Sequence, residues 1–194
     1  MRGRPPYLTP AQKLRAQSFF RSELRTWMRD LLIALGLALA IVVFLYQPVK
    51  VEGTSMAPLL DDQERIFINK FVYHLGPVER GDVVVFWYPL DQTKSFIKRV
   101  VGLAGETLEI RQGRVFINGR LLEEPYLSAQ QLDRASYGPT RIPEGHYFLL
   151  GDHRSSSNDS RVFGPVAERF IYGKAVFSYW PVSRLGSISA HARE

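Results

Sequence analysis

Hydrophobic and polar positions divide the chain into two parts. A long apolar run covers residues 31–46 without a charge, and beyond it short segments rich in Val, Ile, Phe and Tyr alternate with breaks that contain Gly or Pro. No long helical period follows the run. The pattern predicts one helix followed by a domain that is built from strands.

The apolar run is typical of a membrane-spanning helix. Its sixteen residues cover roughly 24 Å at ~1.5 Å each, somewhat less than the ~30 Å hydrocarbon core. Trp27 and Tyr46 stand near its ends, where their side chains suit the two membrane interfaces. We predict one transmembrane helix over residues 31–47, because a buried helix that is apolar on all sides would need a larger protein around it.

Basic residues are concentrated before the run. The first thirty residues carry seven basic and two acidic side chains, whereas the remaining 164 carry 18 basic and 17 acidic ones. By the positive-inside rule, residues 1–30 form a basic cytoplasmic segment, and the domain lies on the extracytoplasmic side of the cell membrane. An arm for nucleic acid fits less well, since such arms are usually lysine-rich and lack a following apolar run. We therefore expect the lipid bilayer as a partner and no nucleic acid.

The domain over residues 48–182 is predicted to be mainly β, with antiparallel sheets that curve or form a partial barrel. Two hairpin turns are indicated by Gln112-Gly113 and Asn118-Gly119. The polar stretch 121–145 is predicted to be a surface excursion, and residues 183–194 a mobile tail. The predicted strands cover residues 65–70, 82–88, 95–101, 107–111, 114–117, 147–150 and 170–179.

A candidate nucleophile follows the apolar run directly. Ser55 has Gly53 before it and Pro58 after it, and this composition favours a bend that can direct backbone N–H groups and a hydroxyl toward one point. An ordinary surface turn is the alternative. Cysteine is absent, which excludes disulfides, thiolate metal sites and a cysteine nucleophile. We expect neither a cofactor nor a metal.

Two residue types could activate this serine. Lys98 shares one face of a predicted strand with Phe96 and Val100, and if that face is the inner one, desolvation lowers the lysine pKa and lets the neutral amine accept a proton. Alternatively, Lys98 reaches solvent or pairs with an acid. A triad that includes His153 is the second possibility.

A third polar stretch, residues 151–164, follows the apolar strand 147–150 and is dense in small hydroxylic and charged residues. Such a network at a strand end can orient a lysine amine, although a flexible serine-rich loop would have a similar composition.

Together and in this order, the three stretches resemble the type I signal peptidases of bacteria, which are membrane-bound endopeptidases with a Ser/Lys dyad. The resemblance spans roughly residues 31–180. It is carried by Gly53-Thr54-Ser55-Met56-Ala57-Pro58, by Lys98-Arg99-Val100-Val101-Gly102-Leu103-Ala104-Gly105-Glu106, and by Gly151-Asp152-His153-Arg154 with Ser157, Asp159, Ser160 and Arg161.

The resemblance implies roles for these residues. Ser55 would be the nucleophile and Lys98 the general base. Ser157 would hydrogen-bond the lysine amine, and an ion pair between Asp159 and Arg161 would hold that segment in place. Ser160 belongs to the same supporting group, while Gly53, Met56 and Pro58 would lie around the oxyanion and the substrate.

Two departures from the family pattern matter for the chemistry. Gly53 stands where some members have a serine whose hydroxyl binds the oxyanion, so the oxyanion hole should rest on the backbone N–H of Ser55 and on another main-chain donor. His153 stands where asparagine is common, which leaves its own role open.

The implied substrates are exported preproteins whose signal peptide ends in a small-x-small sequence, bound in extended form by shallow apolar pockets. Two alternatives remain: a narrow-specificity Ser/Lys maturation protease of the same architecture, and a membrane-tethered β domain that binds without cutting. The Ala190-His191-Ala192 sequence also allows the hypothesis of self-cleavage in the tail.

Overall fold

The structure is a computed structural model that describes residues 10–188, with side chains described over residues 23–40 and 45–188. The chain divides into two compact units, residues 1–44 and 45–194. Predictions for residues 1–9 and for the Ala190-His191-Ala192 sequence lie outside the described residues.

One helix, α1 (Pro10–Leu45), makes up the described part of the first unit. The predicted helix covered residues 31–47. The observed helix begins much earlier, at Pro10, and ends at Leu45, because Tyr46 already belongs to a strand. Over the part of the chain that the structure describes, no helix combines the length and the apolar character needed to cross a membrane.

Antiparallel strands form almost all of the second unit, which confirms the predicted mainly β fold. The strands are β1 (Tyr46–Lys50), β2 (Arg65–Asn69), β3 (Val83–Tyr88), β4 (Asp91–Gly102), β5 (Thr107–Arg111), β6 (Arg114–Ile117), β7 (Arg120–Leu121), β8 (Tyr137–Arg141), β9 (His146–Leu150), β10 (Val166–Ala167), β11 (Ile171–Trp180) and β12 (Gly186–Ser187). Two short helices, α2 (Val72–Leu75) and α3 (Ser160–Phe163), and 3₁₀ turns at Arg154–Ser156, Glu168–Phe170 and Val182–Arg184 connect them.

The larger sheet has the order β1-β2-β11-β3-β4-β9-β10, with β12 added to β11. Strand β4 lies between β3 and β9 and is buried on both faces over its second half. Val100 packs in one apolar cluster with Phe86, and Val101 packs in another with Phe148. A third cluster, around Ile66 on β2, lies beneath the segment that follows β1.

The smaller sheet has the order β7-β6-β5-β8. Its turns at Gln112-Gly113 and Asn118-Gly119 have positive φ at both positions, as expected of tight hairpins. The stretch 121–145 was predicted to be a surface excursion. Part of it differs from that prediction, because residues 137–141 form strand β8, which pairs with β5.

The first part of the predicted mobile tail, residues 183–194, is ordered by contacts with the sheet. Strand β12 pairs with β11 through Ser187 and Phe177, and Ile188 is buried in the cluster that contains Ile66. Residues 183–188 thus belong to the fold.

Candidate active site

Ser55 lies five residues after the end of β1, in a tight turn. The turn is closed by a hydrogen bond from the Ala57 N–H to the Thr54 carbonyl, at 3.0 Å. Gly53 has a φ of +89°, which a side chain would strain, and its N–H donates to Asp62 Oδ1 at 2.8 Å. The turn is therefore fixed on both sides of the half-buried serine.

Lys98 reaches this serine from β4. Its Nζ lies 2.7 Å from Ser55 Oγ and 3.0 Å from the Ile97 carbonyl. The side chain is 4 % exposed and shares its strand face with Phe96 and Val100, which pack in one apolar cluster. The inner position considered from the strand pattern is therefore the observed one.

Burial lowers the pKa of Lys98 to about 8, because the charged amine loses its hydration. The negative charges of Asp159 and Asp152 act in the opposite direction, but desolvation outweighs them. A substantial fraction of the amine is therefore neutral near pH 8 and able to accept a proton.

His153 contacts the backbone of the serine turn. Its N–H donates to the Ser55 carbonyl at 3.1 Å, and its ring Nδ1 lies 3.3 Å from the Thr54 carbonyl. Because a carbonyl oxygen can only accept, Nδ1 must carry the proton in this contact. Ser55 Oγ is hydrogen-bonded to the lysine amine, so the geometry favours the Ser/Lys arrangement over the triad.

An ion pair anchors the loop that follows β9. The Asp159 carboxylate accepts hydrogen bonds from Arg161 Nε and Nη2, both at 2.8 Å, and from the Gly151 N–H at 3.1 Å. Burial tends to raise the pKa of Asp159, but the Arg161 guanidinium outweighs this effect and holds the pKa below its ordinary value.

The two serines of this loop make different contacts. Ser160 Oγ accepts from the Leu149 N–H at 2.9 Å, so its hydroxyl binds the end of β9 and not the lysine amine. Ser157 Oγ is buried, and its hydroxyl interacts with the Asp159 carboxylate, whose pKa it helps to lower. In this structure the expected bond between Ser157 and Lys98 is not formed.

A buried pair between Arg99 and Asp152 was not predicted. The guanidinium donates to both carboxylate oxygens, at 2.8 and 2.6 Å, and lies 4.0 Å from the Tyr126 ring centroid. The strand pattern did place Arg99 between Ile97 and Val101 on one face, and a buried arginine requires a carboxylate partner. The position of Arg99 on an apolar strand face was therefore the sequence signal for an acidic partner.

A cleft of about 330 Å³ opens beside Ser55 and Lys98. Its walls come from β1 and β4, which are four positions apart in the sheet order, so the sheet must curl to bring them together. Met56 is buried and lines the cleft. Pro58 is exposed and is not among the lining residues, which are Val49, Lys50, Val51, Glu52, Gly53, Ser55, Met56, Val85, Ser95, Phe96, Ile97, Lys98 and Asn158.

One edge of β4 is open along this cleft. Residues 95–97 pair with β3 on one side, whereas pairing with β9 begins at Arg99. Strand β1 is itself the outer strand of its sheet. Both walls therefore offer backbone groups that an extended peptide can bind. Within the described ranges, no group of three or more His, Asp or Glu side chains is placed to hold a metal ion.

The family model for "Signal peptidase, peptidase S26" matches residues 24–180. The chain belongs to this family. A signal peptidase I of Bacillus amyloliquefaciens is 37% identical over 186 residues, which cover 90% of this chain and 96% of that protein. Signal peptidase I T of Bacillus subtilis is 38% identical over 168 residues, covering 82% and 86%. A crystal structure of a signal peptidase I from Enterococcus faecalis is 32% identical and covers 51% of this chain and 97% of that chain, with a TM-score of 0.44.

Membership confirms the resemblance inferred from the three sequence stretches. As a signal peptidase of the peptidase S26 family, the protein is a serine endopeptidase.

Proposed function

We propose that this signal peptidase removes signal peptides from exported preproteins with Ser55 as nucleophile and Lys98 as general base. The observation that carries the proposal is the 2.7 Å distance between Lys98 Nζ and Ser55 Oγ, made by an amine whose pKa burial lowers to about 8. Nucleophile and base lie within hydrogen-bonding reach, as proton transfer requires.

In the first step, neutral Lys98 accepts the hydroxyl proton while Ser55 Oγ forms a bond to the scissile carbonyl carbon. The oxyanion is stabilised by the backbone N–H of Ser55. The Gly53 N–H donates to Asp62, so a second main-chain donor must come from another residue.

In the second step, the C–N bond breaks and the protonated amine of Lys98 transfers its proton to the leaving nitrogen. The signal peptide remains as an ester on Ser55. Lys98, neutral again, then accepts a proton from water while the water oxygen bonds to the ester carbonyl carbon. The bond from that carbon to Ser55 Oγ breaks, Lys98 returns the proton to Oγ, and the signal peptide leaves with a free carboxyl terminus. Protons balance over the two steps, and the same amine serves both.

Residues behind the dyad keep the amine in place. The ion pair between Asp159 and Arg161 fixes the loop that carries Ser157, and Ser160 ties this loop to β9 through Leu149. The buried Ser157 hydroxyl would have to turn from Asp159 toward the lysine amine in order to orient it during the reaction.

The substrate would lie in the cleft as an extended strand. Successive side chains of a strand point to opposite sides, so the two small residues of a small-x-small sequence face the same wall. Val49, Val51 and Met56 supply apolar surface there. Backbone pairing with the open edge of β4 would accept many sequences, provided that the two small positions fit.

The apolar run of α1 is proposed as the membrane anchor, with the basic N-terminal segment on the cytoplasmic side. Leu31, Leu35 and Leu39 expose their side chains, as a helix in contact with lipid would. Anchoring confines enzyme and signal peptide to one bilayer, which raises their effective concentration.

The deciding experiment is cleavage of a preprotein with a small-x-small site by the detergent-solubilised full chain. We expect Ser55→Ala and Lys98→Met each to lower kcat/KM by more than about 10³-fold, because either change removes one half of the dyad. For the wild type, kcat/KM should rise with pH and level off above about 8, as the amine loses its proton. The exposed Lys94, on the same strand, provides the matched control Lys94→Met.

Other results would redirect the assignment. A dead Ser55→Ala variant beside an active Lys98→Met variant would move the base to another residue, with His153 the first to test. Wild-type protein that cuts one maturation substrate but no general preprotein would favour the narrow-specificity protease. Binding without cleavage would favour the non-catalytic β domain.

A further inference from the structure

Residues 124–133 form a segment, here called the strap, that lies inside the predicted surface excursion but binds the loops of the active site. Near its start, Glu124 forms a buried ion pair with Arg154. At its end, Asp133 accepts from Arg161 Nη1 at 2.6 Å, and Arg161 is the residue that also holds Asp159. Both ends of the strap are thus fixed to the loop that follows β9.

Gln131 connects the strap directly to the serine turn. Its side chain is 8 % exposed. Nε2 donates to the Ala57 carbonyl at 3.3 Å, and Oε1 accepts from the Ser128 N–H. The orientation of the carboxamide is fixed by these contacts, because Ala57 offers an acceptor and Ser128 offers a donor.

The main chain of Gln131 completes the connection, since its carbonyl accepts from the Arg154 N–H at 3.1 Å. The next residue back, His153, donates its N–H to the Ser55 carbonyl. A closed path of hydrogen bonds therefore runs from the serine turn at Ala57, through Gln131, to the loop that returns to Ser55.

We propose that Gln131 is a positioning residue, which holds the serine turn at the distance from Lys98 that proton transfer requires. It acts through Ala57 and is not among the residues that line the cleft. The proposal rests on the function proposed above, because it takes Ser55 and Lys98 as the reacting pair. Small displacements of a nucleophile lower kcat strongly even when substrate binding is unchanged.

The test uses two substitutions in the full chain. Gln131→Met removes the donor to Ala57 at similar side-chain volume. Gln131→Glu keeps an acceptor for Ser128 but places a carboxylate oxygen against the Ala57 carbonyl. The neighbouring Gln130 is exposed and provides matched controls, Gln130→Met and Gln130→Glu.

We expect both Gln131 variants to lose about 10-fold to 100-fold in kcat, with KM within about twofold of the wild type because no cleft residue is altered. The pH midpoint of kcat/KM for Gln131→Met should stay at the wild-type value, since Gln131 does not contact Lys98. Both Gln130 variants should match the wild type.

Several outcomes would overturn the positioning role: unchanged kcat in both Gln131 variants, equal losses in the Gln130 variants, a rise in KM with kcat preserved, or a shifted pH midpoint. Circular dichroism and thermal unfolding identify a variant that does not fold. If Gln131→Met alone is unfolded, Gln131→Glu decides, and if both are unfolded the role is structural.

Wild-type protein that cuts no preprotein would reject the proposed function itself, whereas active wild type with unaffected Gln131 variants would reject this inference alone.

Discussion

The amine of Lys98 occupies a site that favours its neutral form and disfavours its charged form. Burial lowers the pKa from its ordinary value of 10.5 to about 8. Below pH 8 the folded and unfolded chains both carry the charge, and the folded chain bears the full desolvation penalty, roughly 3 kcal/mol. Between pH 8 and 10.5 the unfolded chain binds one more proton than the folded chain, so stability rises with pH.

Lys98→Met should therefore abolish cleavage and yet stabilise the protein at neutral pH. The lost contacts with Ser55 and Ile97 offset part of the penalty, at about 1 kcal/mol per hydrogen bond, so we expect a gain of about 1 kcal/mol at pH 7. The gain should vanish at about pH 9 and reverse toward pH 10.5, where the wild type has lost the penalty but keeps both hydrogen bonds. Urea unfolding of wild type, Lys98→Met and Lys94→Met across this pH range measures the effect, and a Lys98→Met variant that is less stable at pH 7 would contradict the explanation.

At the scale of elements, the loop after β9 passes so close to the serine turn that its first residue must be glycine. A Cβ at Gly151 would lie 2.2 Å from Ser157 Oγ and 2.5 Å from the Ser55 carbonyl oxygen. Both distances are far shorter than a van der Waals contact, and one of the atoms is backbone. The requirement is steric, because the backbone here does not need a positive φ.

Gly151→Ala should push the loop and the serine turn apart. We expect kcat to fall by about 10²-fold and the free energy of unfolding to fall by about 1–3 kcal/mol, which is the usual range for overpacking. Gly138→Ala is the matched control, since a Cβ there meets nothing within 4 Å. Kinetics and urea unfolding of both variants check the prediction, and a Gly151→Ala variant with wild-type kcat would show that the two segments can separate without cost.

The sequence predicted those strands and turns whose own residues have a clear conformational preference. The strands that became β2 to β6, β9 and β11 have runs of Val, Ile and Phe, and the Asn118-Gly119 turn carries its own conformational preference. Strands β8 and β12 were missed because mostly exposed, polar residues form them, and pairing with β5 and β11 stabilises them. Only tertiary contacts distinguish such segments from loops.

The same distinction applies to the active site at the scale of the whole molecule. Ser55 and Lys98 could be paired from their motifs, but the partner of Arg99 is Asp152, 53 positions away, and Gln131 meets Ala57 across 74 positions. These contacts depend on how the sheet curls and where the strap lies. Neither feature has a local pattern, so the pairing of Ser55 with Lys98 could be predicted, whereas the contacts of Arg99 and Gln131 could not.

The division into two units leads to a prediction about substrate form. All residues that line the cleft, and all three apolar clusters, belong to the unit of residues 45–194, so this unit contains the proposed chemistry. If α1 acts as the anchor, its contribution is to concentrate the enzyme at the bilayer.

A chain that starts at residue 45 should therefore cut a soluble small-x-small peptide at a rate within about threefold of the full chain, because the chemical groups are unchanged. The same truncated chain should process a preprotein in liposomes about 10²-fold more slowly, because it loses the shared bilayer. Paired assays of both proteins on both substrates, with Ser55→Ala as the blank, measure the two ratios. Equal losses on peptide and preprotein would mean that α1 supports the fold of the catalytic unit, and equal rates on the preprotein would mean that the anchor does not raise the effective concentration.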